Sequence, residues 1–172
     1  INANAVQCGG SGVKSGFVAL IGRPNAGKST LLNSLLKQKV AIISPKAQTT
    51  RNSIRGIYND DDSQIIFVDT PGIHKAKHRL GDQMNKEAYS SARGVDLVYY
   101  LVDGTVPFGT GDEFVLKMIQ DLHCPVFLIL NKIDKLEKEK IMEILIAWNM
   151  RMNFAEIISV SALTSDNLNQ LV

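Results

Sequence analysis

Apolar residues along the chain come in short runs, and most runs are followed closely by glycine, aspartate, asparagine or serine. FVALIG (17–22), KVAIIS (39–44), SIRGIY (53–58), QIIFVD (64–69), DLVYYLVD (96–103), PVFLILN (125–131) and EIISVS (156–161) have strand length and are rich in Val, Ile, Phe and Tyr. Between them, helical spacing appears at 28–38, about 82–93, 112–121 and 137–149. In the last of these, Ile141, Ile144, Leu145 and Trp148 follow the i, i+3, i+4, i+7 stripe. The acidic NDDD (59–62) is short enough to turn an antiparallel hairpin. Strands alternating with helices predict an α/β domain: a mostly parallel sheet with one antiparallel hairpin edge and helices on both faces. In such sheets ligands bind at the carboxyl ends of the strands.

Composition narrows this little. The 172 residues suit one domain, and 45% hydrophobic content excludes a disordered chain. A net charge of +2, from 19 basic and 17 acidic residues, gives no electrostatic footprint for nucleic acid. Cys8 and Cys124 make no disulfide framework, and Cys124 reads as a small buried hydrophobe. A reducing, cytoplasmic setting follows. No run has transmembrane length, since VDLVYYLVD contains acids near both ends. Residues 1–16, polar and glycine-rich, are expected to be a flexible tail or a non-native remnant, with native sequence beginning at or near Val13.

Chemistry begins at GRPNAGKST (22–30), between the first apolar run and the first helical one. The spacing Gly22-x-x-x-x-Gly27-Lys28-Ser29 is that of a phosphate-binding loop. Glycines let successive N–H groups converge on phosphate oxygens, and the helix N-terminus adds its positive dipole. Gly22, Arg23, Pro24, Asn25, Ala26, Gly27, Lys28, Ser29 and Thr30 are the candidate phosphate ligands. Lys28 would reach the β- and γ-phosphates and Ser29 would ligate Mg²⁺. A plain strand-to-helix turn is the competing reading, and the loop alone leaves the nucleotide open.

Three further signals follow in order, each at a strand end. DTPG places Asp69, Thr70, Pro71 and Gly72 after QIIFVD, with Ile73 next. Asp69 can hold Mg²⁺ through water, and the bare N–H of Gly72 can approach a γ-phosphate. By itself DTPG is equally good turn chemistry. NKID (131–134) decides the base: the Asp134 carboxylate only accepts, and guanine presents two donors on one edge where adenine presents no such pair. Lys132 can lay its stem along the base, and Asn131 can tie this loop to the phosphate loop. Ser161 and Ala162, in SVSAL, would offer a backbone N–H to guanine O6. Each signal is modest alone. Together they predict a guanine-nucleotide site for GTP or GDP.

This ordered set resembles the translation-factor-like bacterial GTPases over nearly all of residues 17–172, and AIISPKAQTTRNSIRGIY (41–58) is similar to the effector loop of the Era family. The related MnmE and Der GTPases lack the KAQTTR wording. The resemblance implies a P-loop GTPase domain. It makes Thr50 (Thr49 as fallback) the effector-loop residue that closes on Mg²⁺, so Ser29, Thr50 and Asp69 form the implied metal set. Lys28, Thr50, Gly72 and Asn25 become the implied catalytic residues. It further implies switch segments at 44–51 and after Gly72, and a KH-type RNA-binding domain beyond Val172. Through that domain, the partners would be 16S rRNA and the small ribosomal subunit in subunit assembly. Similarity to potassium-activated GTPases, which share Asn25, adds K⁺ as a cofactor; the plainer reading is that Asn25 tolerates a turn. Arg51 is the runner-up for supplying the charge. SDNLNQLV would open a final helix capped by Ser165 or Asp166.

Other features carry less. His74 and His78 have metal-ligand spacing but no third ligand near. Asp60–Asp62 lacks the calcium loop. KLEKEK (135–140) reads as the solvated start of a helix; peripheral attraction to the inner face of the cell membrane has no other support. Two rival functions stand beside a hydrolysing switch. One is a GTP-dependent binding module with negligible hydrolysis, because Ile73 stands where many GTPases place a water-orienting glutamine. The other is an ATP-using kinase, which NKID disfavours.

Overall fold

A computed structural model describes residues 14–38, 54–61, 63–68, 92 and 94–172. The strands are β1 (Lys14–Gly22), β2 (Ile54–Asn59), β3 (Ser63–Val68), β4 (Leu97–Asp103), β5 (Val126–Asn131) and β6 (Glu156–Ser159). The helices are α1 (Lys28–Gln38), α2 (Thr110–Gln120) and α3 (Lys138–Asn149), with 3₁₀ turns at Ile133–Lys135 and Leu168–Leu171. One sheet runs β2-β3-β1-β4-β5-β6, parallel throughout except for the β2–β3 hairpin. This is the expected sheet with its antiparallel edge. In the hairpin turn, the Asp60 carboxylate accepts from the Ser63 N–H at 2.7 Å and the Ser63 hydroxyl at 2.9 Å.

The side chains of adjacent strand residues alternate between two apolar layers. Ala19, Ile21, Tyr100, Val102, Leu128 and Leu130 face one layer, packed against Val115, Leu116 and Ile119 of α2 and Trp148 of α3. Val18, Leu20, Tyr99, Leu101, Ile129 and Ile158 face the other, covered by Leu31, Leu35 and Leu36 of α1 and by Leu168 and Leu171. Burying each large apolar side chain contributes about 1.5–3 kcal/mol, so both layers are needed to hold so apolar a sheet. The stripe of α3 is realised: Trp148 is buried, and Ile141, Ile144 and Leu145 pack half-buried on the same layer. Cys124 is half-buried, and burial pushes its thiol pKa up, in keeping with a packing role.

Two expectations are corrected. β1 starts at Lys14, so residues 14–16, assigned to a flexible tail, pair with Ser63, Gln64 and Ile65 of β3. The final segment is not a helix capped by Ser165 or Asp166. Ser165 has φ 66° and Asn167 φ 59°, both left-handed, whereas a cap residue is typically extended. The Asp166 carboxylate accepts from the Thr164 hydroxyl at 2.6 Å, and its carbonyl accepts from the Ser161 N–H at 3.2 Å. A 3₁₀ turn follows, held to the core by the Tyr99 hydroxyl, which donates to the Leu171 carbonyl. The expected strand 39–44 and, Ala92 apart, nearly all of the helix at 82–93 lie outside the described residues.

Candidate functional site

The carboxyl ends of β1, β4, β5 and β6 bring together segments up to about 140 residues apart in sequence. At the end of β1, a Cβ on Gly22 would lie 2.6 Å from the Leu101 carbonyl oxygen, so only glycine fits between the strands. The chain then turns: the Ala26 N–H donates to the Arg23 carbonyl at 3.2 Å, and Asn25 takes φ 66°. Gly27 has φ 102°, and a Cβ there would stand 2.3 Å from Asn131 Nδ2. Both conformation and space require glycine. α1 begins at Lys28, with the Leu31 N–H donating to the Gly27 carbonyl at 2.8 Å. Lys28 Nζ lies across the loop, donating to the carbonyls of Gly22 at 2.9 Å and Arg23 at 3.1 Å. Ser29 and Thr30 are exposed in the first turn of α1.

Arg23, one of the candidate phosphate ligands, has a side-chain partner within the protein. Its guanidinium pairs with the buried carboxylate of Asp112 at 3.0 Å, so its side chain braces the loop against α2. Asn25 holds a left-handed backbone, and its carbonyl accepts from Lys132 Nζ at 3.0 Å.

Asn131, at the end of β5, is 2% exposed. Its Nδ2 donates to the Ala26 carbonyl at 2.9 Å, and its Oδ1 accepts from the Ala162 N–H at 3.0 Å. One amide therefore joins the phosphate loop, NKID and SAL. Lys132, with φ 67°, pairs with Asp103. The exposed Asp134 accepts at Oδ1 from the Ser161 hydroxyl at 2.6 Å. Ser161 Oγ in turn accepts from the Thr164 N–H at 3.2 Å. This directs the hydroxyl proton to Asp134 and leaves Oδ2 to meet a ligand. The amides expected to serve guanine O6 are engaged within the protein: Ala162 with Asn131, and Ser161 with the Asp166 carbonyl.

A loop at a helix N-terminus with two positions that only glycine fits, and an oriented, half-satisfied carboxylate, fit a nucleoside phosphate whose base presents donors. The Ser29 hydroxyl is a hard oxygen of the kind Mg²⁺ takes. Thr49, Thr50, Asp69, Thr70, Pro71, Gly72, Ile73, His74 and His78 lie outside the described residues, so the rest of the expected metal set and both switch segments do too. Among the described residues no cluster of His, Cys, Asp or Glu could hold a metal ion, and no helix is long and apolar enough to cross a membrane. Sequence reasoning missed Asp103, Asp112 and the Ser161 hydroxyl as parts of the site. For Asp103 a signal existed: an acid followed by glycine at the end of a buried strand.

The family profile of the 50S ribosome-binding GTPases matches residues 17–132. GTPase Era of Clostridium kluyveri is 51% identical over 160 residues, which are 93% of this chain and 55% of that protein. The chain thus spans about half the length of the curated relatives it matches. Among solved structures, Era in complex with MgGDPNP and nucleotides 1506–1542 of 16S ribosomal RNA superposes with TM-score 0.78 at 40% identity, covering 92% of this chain and 55% of that one. A variant of Aquifex aeolicus Era bound to GDP·AlF₄⁻ gives 0.77 at 39%, with the same coverage. Elongation factor SelB of Methanococcus maripaludis, at 0.71 and 20% identity over 92% of this chain and 32% of that one, shares the fold alone.

Proposed function

Because the chain belongs to the Era family of the 50S ribosome-binding GTPases, we propose that it binds GTP and GDP with Mg²⁺ and hydrolyses GTP as a molecular switch. The observation that carries this reading is the Asn131 amide, which fixes the phosphate loop and the guanine-reading segments in one frame. Gly22 to Thr30 would wrap the phosphates, with Lys28 leaving its loop carbonyls to meet them. Asp134 would accept from the two guanine donors, steadied by Ser161. Mg²⁺ would neutralise charge on the β- and γ-phosphates, held by Ser29 with Thr50 and Asp69. Thr50 and the Gly72 amide would close on the γ-phosphate.

K⁺ extends the reading. The side-chain amide of Asn25 is exposed and has no partner among the described residues, so its oxygen is free to face a cation beside the phosphates. The left-handed backbone of Asn25 and this role are compatible, because the first uses φ and the second the side chain. For the partner, we extend the reading to 16S rRNA and the small ribosomal subunit, in subunit assembly. With +2 net charge these 172 residues offer RNA phosphates few contacts, so RNA binding is assigned to a KH-type segment of the kind the resemblance implies. The reading places the protein in the cytoplasm. Lysines 135, 138 and 140 alternate with Glu137 and Glu139, and Lys140 pairs with Glu143, which leaves little net charge for a membrane surface.

Single-turnover hydrolysis of GTP by the purified chain, in KCl and in NaCl at equal ionic strength, tests both levels. The expected result is slow phosphate release that K⁺ accelerates and Na⁺ does not, with the difference erased in Asn25→Ala while GDP affinity is largely kept. No release above the uncatalysed rate in either salt would turn the assignment to a GTP-dependent binding module. Equal rates would leave Asn25 a turn residue and return the search to Arg51 or a partner.

A further inference from the structure

We propose that Asp103 is a positioning residue of the guanine-reading loop: its carboxylate fixes Lys132, and through Lys132 it ties that loop to the phosphate loop at Asn25. This rests on the nucleotide reading above. β4 and β5 end in register, Asp103 opposite Asn131, and the Gly104 N–H donates to the Asn131 carbonyl at 2.9 Å. The approach is close: a Cβ on Gly104 would stand 2.8 Å from Leu136 Cδ1 and 3.1 Å from the Asn131 carbonyl oxygen. The Asp103–Gly104 turn is therefore a fixed backing for NKID.

On that backing the Asp103 carboxylate is oriented before it meets Lys132. Its Oδ1 accepts from the Thr105 N–H at 2.9 Å and from the Thr105 hydroxyl at 2.6 Å. Oδ2 then takes Lys132 Nζ at 2.5 Å, and the same ammonium donates to the Asn25 carbonyl at 3.0 Å. The Lys132 and Asp103 side chains are only 29% and 14% exposed, so solvent screens the pair less than a surface pair. Burial pushes the Asp103 carboxyl pKa up, but the bonds from Lys132 and Thr105 outweigh it and hold the pKa below the usual aspartate value.

A lysine stem is among the most mobile side chains, and ordering it when the base arrives would weaken binding. Lys132 is ordered already at both ends: its backbone by the left-handed turn, its ammonium by Asp103 and Asn25. A carboxylate at 103 that served only the local turn, through Thr105, would act on nucleotide release equally whatever stood at position 132. One that acts through Lys132 cannot.

The test is a double-mutant cycle on release of the fluorescent analogue mant-GDP from the Mg²⁺-loaded chain. Asp103→Ala should speed release about tenfold in the otherwise unchanged chain, and less than twofold in a Lys132→Met background. Asp103→Asn, which keeps the size and the oxygen facing Thr105, should fall between and guards against a fold defect in the alanine variant. Equal acceleration in both backgrounds, or none in either, overturns the proposal. If the unsubstituted chain binds no mant-GDP, the nucleotide reading falls and this one with it; if it binds and the cycle is additive, only the role of Asp103 falls.

Discussion

On the proposed reading, Ser161 decides how Asp134 would meet a base. Its hydroxyl donates to Oδ1 while its own oxygen accepts from the Thr164 N–H, so in Asp134→Asn the amide oxygen should stay on Ser161 and the NH₂ should face the ligand. That NH₂ cannot accept guanine's N–H groups but can donate to the extra ring carbonyl of xanthine. GDP affinity should fall about 100-fold, roughly the 3 kcal/mol of a charged hydrogen-bonding group lost, while XDP gains. Competition of GDP and XDP against mant-GDP measures this, and unchanged preference would remove Asp134 from base reading. At this scale Gly27, Lys28, Asn131 and Asp134 were legible because their types and spacing are those that a phosphate loop and a base-reading loop require. The Ser161 hydroxyl was not, and the acid–glycine signal at Asp103 did not point to Lys132, because their partners lie 27 and 29 residues away and meet them only when the strand ends align.

The helix α2 is fastened to the phosphate loop by one buried acid. Asp112 accepts from the Gly109 N–H at 3.0 Å, reaching back over the first turn of α2, and also from Arg23 at 3.0 Å and the Tyr100 hydroxyl at 3.3 Å. Burial and the neighbouring Asp112 push the Tyr100 phenol pKa far above its usual value, so this hydroxyl stays a donor at any working pH. Asp112→Ala orphans all three donors. Because Arg23 is partly exposed and can rehydrate, the expected loss is about 2–4 kcal/mol in urea unfolding, below the top of the range for a broken buried pair. A loss under about 1 kcal/mol would show that the carboxylate contributes little net. Among the elements, β4 and β5 were legible from apolar runs that only a covered sheet can bury. Lys14–Gly16 were not, because pairing with β3 uses backbone groups that carry no polarity signal. The last turn was misjudged because Asn167 adopts a left-handed backbone beside the Ser161–Asp166 bridge, a local pairing that overrides capping preference.

Over the whole molecule, the strand order β2-β3-β1-β4-β5-β6 puts the β2–β3 hairpin on one side of β1 and β4, β5 and β6 on the other. The crevice at the carboxyl end of β1 is where such a sheet binds ligand, and the phosphate loop stands there with NKID and SAL beside it. The central claim is that this crevice reads guanine and phosphate together. Displacement of mant-GDP from the purified chain by GTP and by ATP, in Mg²⁺, tests it most directly. GTP should displace the analogue near stoichiometrically, and ATP should fail at concentrations at least 100-fold higher, because adenine cannot supply the donor pair that Asp134 awaits. Displacement by ATP at concentrations matching GTP would contradict the account.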